Sequence, residues 1–204
     1  MTNLAEKKNL LLLIAILLLA VFLRVYKVNE HSMYGDELPM VYDSYSIYKT
    51  GKDQLGNSFP LTFEMGGGNA AGYVYGSIPF VAIFGTSELG VRSLSILSGI
   101  AIIILIYFLG KRLFDERVGL IASFIASVSP WDISLSRGGF EVHLALFFTL
   151  LGIICFIFAK DNPRYLIAGA VFWGLTIHTY PTFKLVLPLF LPALLWFTEM
   201  KKWI

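Results

Sequence analysis

Long apolar stretches alternate along the chain with short charged joints. Residues 10–22 form a nearly unbroken apolar run, opened by Lys7 and Lys8 and continued by Leu23-Arg24-Val25-Tyr26. No small-residue cleavage site follows, so about residues 9–26 read as a retained first span, long enough for a hydrocarbon core roughly 30 Å thick. Further apolar runs lie at 91–109, 118–128, 140–159, 165–179 and 183–197. Between them stand Lys111-Arg112-Leu113-Phe114-Asp115-Glu116-Arg117, Ser129-Pro130-Trp131, Lys160-Asp161-Asn162-Pro163-Arg164 and Tyr180-Pro181-Thr182, and Lys201-Lys202 come near the end. The pattern predicts an all-α, polytopic transmembrane helical bundle of about six spans, with spans 2–6 between about residues 91 and 199.

Residues 27–88 break the rhythm and read as one long first loop carrying interfacial helices. After Tyr34-Gly35-Asp36-Glu37-Leu38-Pro39, the residues Leu38, Val41, Tyr45 and Tyr48 recur at helical spacing, and Pro39 fits only in a first turn. Thr50-Gly51-Lys52-Asp53-Gln54-Leu55-Gly56-Asn57 reads as turns, and Gly66-Gly67-Gly68-Asn69 as a flexible hinge. The triple glycine lacks the strand–loop–helix context of a phosphate cradle. Residues 70–85 are apolar but short and interrupted by Gly72, Gly76 and Pro79, which suits an interfacial or re-entrant segment better than a span.

Composition agrees with a membrane setting. Of 204 residues 56% are hydrophobic and only 15% charged, and the mean hydropathy is +0.70, far from an ordinary soluble domain. A net charge of +2 gives no footprint for nucleic acid. Cys155, alone in an apolar run, excludes a disulfide framework and reads as packing.

Charge then sets an orientation. With the N-terminus cytoplasmic, Lys7, Lys8, Lys111, Arg112, Arg117, Lys160, Arg164, Lys201 and Lys202 all fall inside, while Arg137 and Lys184 are the cations of the short external loops. The external face thereby gathers Asp36, Glu37, Asp43, Arg137, Glu141, His143, His178 and Lys184. Ionisable groups near a membrane interior are costly and often functional. Six of the eight also have a plainer role: Asp36 as an N-cap, Arg137 and Glu141 as an i, i+4 helical ion pair, His143 and His178 as packed side chains, and Lys184 as a snorkelling cation. Their convergence carries the case. Asp36, Glu37 and Glu141 are oxygen donors of the kind a divalent cation takes, but no recognisable ligand loop accompanies them, so a metal requirement stays open.

Val91-Arg92-Ser93-Leu94, then Tyr107-Phe108-Leu109-Gly110-Lys111-Arg112-Leu113-Phe114, then Ser129-Pro130-Trp131 with Ser134-Leu135-Ser136-Arg137 stand in order along the chain, after the Asp36-Glu37 pair. This ordered set resembles the GT-C lipid-linked glycosyltransferases of the family 39-like branch, which holds protein O-mannosyltransferases and aminoarabinose transferases. The resemblance implies an inverting glycosyltransferase of the cell membrane. It would move a sugar from a polyprenyl-phosphate donor to a hydroxyl of a protein, lipid or glycan acceptor on the external face. It implies Asp36 as general base, with Glu37 and Glu141 as further catalytic carboxylates. Arg137 and Lys184 would hold the donor phosphate, with His143 and Tyr180 as accessory groups. Two departures stand out: Val142 occupies a position where relatives often carry Asp, with Glu141 one residue earlier, and no Lys stands near Gly68. Relatives are longer, so the chain is expected to be the N-terminal module of a longer enzyme. The competing reading is a transporter or lipid-binding scaffold, against which the halves display no internal repeat.

Overall fold

The computed structural model describes residues 2–64, 69–159 and 161–200. Its helices are α1 (Thr2–Val25), α2 (Glu37–Thr50), α3 (Ala71–Phe84), α4 (Glu88–Leu113), α5 (Glu116–Val128), α6 (Pro130–Ser136), α7 (Glu141–Phe158), α8 (Arg164–Thr179) and α9 (Phe183–Met200). Two-residue strands β1 (Thr62–Phe63) and β2 (Asn69–Ala70) pair antiparallel before α3. The chain is an all-α membrane protein.

Helix limits follow local chemistry. Ser87 caps α4 by accepting from the Gly90 N–H, and Asp115 caps α5 by accepting from the Val118 N–H at 2.8 Å. Gly51 ends α2 in the left-handed conformation, its N–H donating to the Ile47 carbonyl. Pro130 opens α6, where its missing N–H costs nothing.

Only α1, α4 and α7 are long and apolar enough to cross a membrane among the described residues, or four spans result if α5 and α6, bent by 61° at Ser129, form one broken span. The sequence pattern suggested about six. α8 has 16 residues, and the apolar part of α9 counted to Pro192 is shorter, so both fall below the roughly 20 residues that a clean crossing takes. α3, a 14-residue helix, is likewise short. Gly66, Gly67, Gly68, Lys160, Lys201 and Lys202 lie outside the described residues.

α4 is the hub, packing on α1, α2, α3, α5, α6 and α7, while α8 packs on α7 and α9 on α8. Small residues let these helices approach: a Cβ on Gly119 of α5 would lie 2.7 Å from the Tyr107 carbonyl oxygen of α4. In α2 the buried face is Met40, Val41, Ser44 and Ile47, set on α3 where Ser44 Oγ donates to the Val74 carbonyl oxygen at 2.9 Å. Of the apolar stripe expected on α2, Val41 is buried and Leu38, Tyr45 and Tyr48 are exposed. Cys155 is buried.

Helix direction sorts the charges. The N-terminal ends of α4 and α7, the C-terminal end of α1 and the first loop meet at one end. Lys111, Arg112, Glu116 and Asp161 sit at the other, in the ion pairs Lys111–Glu116 (3.2 Å) and Arg112–Asp161 (2.6 Å).

Candidate functional site

Glu37, the first residue of α2, is almost wholly buried and its carboxylate is saturated. Arg92 of α4 donates through Nε to Oε1 (2.8 Å) and through Nη2 to Oε2 (2.7 Å). The Gly139 N–H reaches Oε1 at 2.7 Å and the Tyr34 N–H reaches Oε2 at 3.2 Å. Arg92 spends its remaining donors on the carbonyls of Val28 (2.7 Å), His31 (2.9 Å) and Ser32 (3.3 Å). All five guanidinium N–H groups are used, so one arginine ties α4, the loop after α1 and the start of α2 together. Gly139 is required by contact: a Cβ there would lie 2.9 Å from Val91 Cγ2 and 3.2 Å from Glu37 Cγ.

Asp36 precedes this clamp and has the opposite character. It is exposed, and although it stands at the N-cap of α2, its side chain makes no capping bond. The capping role read from the sequence is therefore not what the Asp36 carboxylate performs. Its electrostatic neighbour is Glu141, the half-buried first residue of α7. The Tyr34 and Phe140 rings meet edge to face at 5.9 Å, so residues 34–37 lie against the turn between α6 and α7.

That turn corrects another expectation. Arg137 and Glu141 do not share a helical face, because α6 ends at Ser136 and α7 begins at Glu141, with Gly138 and Gly139 between. Arg137 instead donates through Nη1 to the carbonyls of Leu23 (3.1 Å) and Tyr26 (2.6 Å), and through Nη2 to that of Lys27 (3.3 Å). It thus satisfies orphan carbonyls at the end of α1. Nε–H and one Nη2–H of Arg137 have no partner among the described residues. A cavity of about 420 Å³ lined by Val28, His31, Tyr34, Arg92, Ser134, Arg137 and Gly138 opens here. Burial, then the nearness of Glu37, pushes the Tyr34 phenol up against the opposing pull of Arg92, so Tyr34 remains an O–H donor at neutral pH.

His143 is placed elsewhere. It is fully buried, its Nε2 3.0 Å from Asp132 Oδ1, and its Nδ1 has no partner among the described residues. Asp132 Oδ2 is ion-paired with Nη2 of the fully buried Arg24. Arg24 Nε donates to Ser136 Oγ at 3.1 Å and Nη1 to the carbonyls of Ala20 (3.0 Å) and Ser127 (3.1 Å). A Cβ on Gly99 of α4 would fall 2.2 Å from Ser136 Oγ and 2.8 Å from His143 Cε1, so α4 makes room for this network with a glycine. Arg24 and Asp132 are not among the sequence candidates, and Arg92 stands there only as part of the Val91-Arg92-Ser93-Leu94 motif. The signal in sequence is that each is an ionisable residue set in or beside an apolar run.

Lys184, at the start of α9, and His178, at the end of α8, are exposed and make no side-chain hydrogen bond among the described residues. Tyr180 packs on Phe183, ring centroids 6.3 Å apart. Asp43 is buried in α2 and accepts from the Gln54 N–H at 3.0 Å. No group of three His, Cys, Asp or Glu side chains is arranged to hold a metal among the described residues. The acids Asp36, Glu37 and Glu141 do not fit one as a set, because both Glu37 oxygens are already committed.

The family model of the dolichyl-phosphate-mannose-protein mannosyltransferases matches residues 78–204. The chain belongs to this family of membrane glycosyltransferases. The match takes in half of α3 and all of α4 to α9, and it stops short of the segment carrying Asp36 and Glu37. Comparison with curated proteins and with solved structures gave no match.

Proposed function

We propose that the chain transfers a sugar, of the mannose type its family handles, from a polyprenyl-phosphate carrier to an acceptor hydroxyl, with Asp36 as the base. One observation carries the reading: Asp36 is exposed and free of capping duty beside Glu141, at the mouth of a segment anchored by the Glu37–Arg92 clamp. A carboxylate so placed can accept the acceptor's proton as its oxygen attacks the anomeric carbon. The bond from that carbon to the phosphate oxygen breaks, the electron pair leaves with the polyprenyl phosphate, and the anomeric configuration inverts. The arginine-lined cavity supplies positive charge for the departing anion. Arg137 has donors to spare there and Arg92 has none, so Arg137 is the phosphate ligand and Arg92 the scaffold. Tyr34, which lines the cavity two residues before Asp36, joins base and anion site. Glu141 orients the acceptor with Asp36, and Glu37 acts through position alone. Lys184 belongs to the donor's approach, with Tyr180 flanking it. His143, held by Asp132, supports the bundle rather than the substrate.

The sorting of Lys111, Arg112, Arg117 and Arg164 to the far end supports placing that end in the cytoplasm and the Asp36 site outside. The test is transfer from polyprenyl-phosphate mannose by the full-length gene product in vesicles, with the anomeric configuration of the product read by NMR. An inverted product is expected. A retained configuration overturns the single displacement, and no transfer from any carrier, with carrier binding intact, favours a lipid-binding scaffold.

A further inference from the structure

The end of the bundle opposite Asp36 carries a second concave feature. A groove of about 500 Å³ runs between α4 and α7, floored by Leu105 and Phe108 of one helix and Ile154 and Phe158 of the other, with Lys111 and Arg112 at its rim. Both walls are helices long and apolar enough to cross a membrane, so the floor lies at the depth of acyl chains and the rim at the level of headgroups. The Arg112 guanidinium stands over the Phe158 ring, 5.2 Å from its centroid, which fixes the cation above the apolar floor.

Both cations already have acidic neighbours, Lys111 with Glu116 and Arg112 with Asp161, but these pairs are about half-exposed at the surface, where ion pairs are weak. Arg112 commits only Nη2 to Asp161, leaving donors without a partner among the described residues. Apolar floor and cationic rim match one ligand chemistry, a phosphate ester bearing acyl chains. We infer that this groove is a binding site for an anionic membrane phospholipid, seated with its chains along Phe108 and Ile154 and its phosphate on Arg112 and Lys111. The site is remote from the Asp36 end and does not depend on the catalytic reading.

The full-length gene product would be reconstituted in vesicles of phosphatidylcholine containing phosphatidylglycerol, released, and its retained lipids counted by native mass spectrometry. Phosphatidylglycerol should be enriched on the wild type. The double variant Lys111→Gln/Arg112→Gln should retain roughly tenfold less or lower still, given the contribution of each cation to anionic-lipid attraction. Ile154→Trp, which fills the groove and leaves the rim, should lose it as well. Arg117→Gln, which removes a nearby exposed cation outside the groove, should retain it. Equal retention by the double variant overturns the site, as does an equal loss with Arg117→Gln, which would reveal a diffuse charge effect. A wild type without enriched phosphatidylglycerol also overturns it.

Discussion

Arg92 grips both oxygens of Glu37, at 2.8 and 2.7 Å, across fifty-five positions of sequence and with both side chains almost fully buried. Breaking a buried pair strands a charge, at a cost of about 3–5 kcal/mol. Glu37→Gln should therefore lower thermal stability in detergent markedly. Arg92→Lys should do nearly as badly, because one ammonium cannot replace five N–H donors in a planar fork. A wild-type melting profile for Arg92→Lys would count against the clamp.

The Arg24–Asp132–His143 network makes a paired prediction. Asp132→Asn leaves Arg24 buried without a counter-charge and should cost about 3–5 kcal/mol, while the double replacement Arg24→Met/Asp132→Leu should recover much of the loss. A double-mutant cycle of Arg24→Met, Asp132→Leu and their combination, on unfolding in detergent, measures the coupling. Additive losses would mean that the two residues act separately.

Close approach of α4 and α5 predicts a steric effect. Gly119→Val brings side-chain atoms onto the Tyr107 carbonyl, which already lies within 2.7 Å of a Cβ at that site. Overpacking of this kind costs about 1–3 kcal/mol, read as a lower melting temperature.

In the loop after α2, Asp53 offers a pH dependence. Burial pushes its carboxyl up, but hydrogen bonds from the Asn57 side chain and from the backbone of Asn57, Leu55 and Gly56 outweigh it and hold the group below the usual carboxylate range. A carboxyl lowered in the folded state contributes stability above its unfolded value, near 4, and that contribution fades as pH falls through the folded value. Amide exchange in residues 53–57 should quicken as pH drops below about 4, beyond the intrinsic pH trend, and Asp53→Asn should remove the excess.

Much of this fold is legible from apolar run length alone: α1, α4 and α7 fall where the sequence places them, and the α5–α6 bend falls at Ser129-Pro130. Helical periodicity does not carry across Gly138-Gly139. Four residues make a helical neighbour only if the helix continues, and here the chain turns, so Arg137 serves α1 rather than Glu141. Glu37 is visible in sequence as an acid beside Asp36, but its role is set by Arg92, and no local spacing announces a partner so far away. Arg24 reads in sequence only as one residue of the first span, and the fold reveals it as the buried counter-charge of Asp132.

The proposed role of Asp36, rather than its buried neighbour, as the base for the acceptor's proton makes a kinetic prediction. The most direct measurement is kcat for transfer from polyprenyl-phosphate mannose by full-length wild type, Asp36→Asn and Asp36→Glu, each checked for an unchanged melting temperature and donor binding. Removing a general base should lower kcat by about 10²–10⁴-fold in Asp36→Asn with donor affinity preserved, and Asp36→Glu should restore part of it. An Asp36→Asn protein that folds, binds donor and transfers at the wild-type rate would rule Asp36 out as the base.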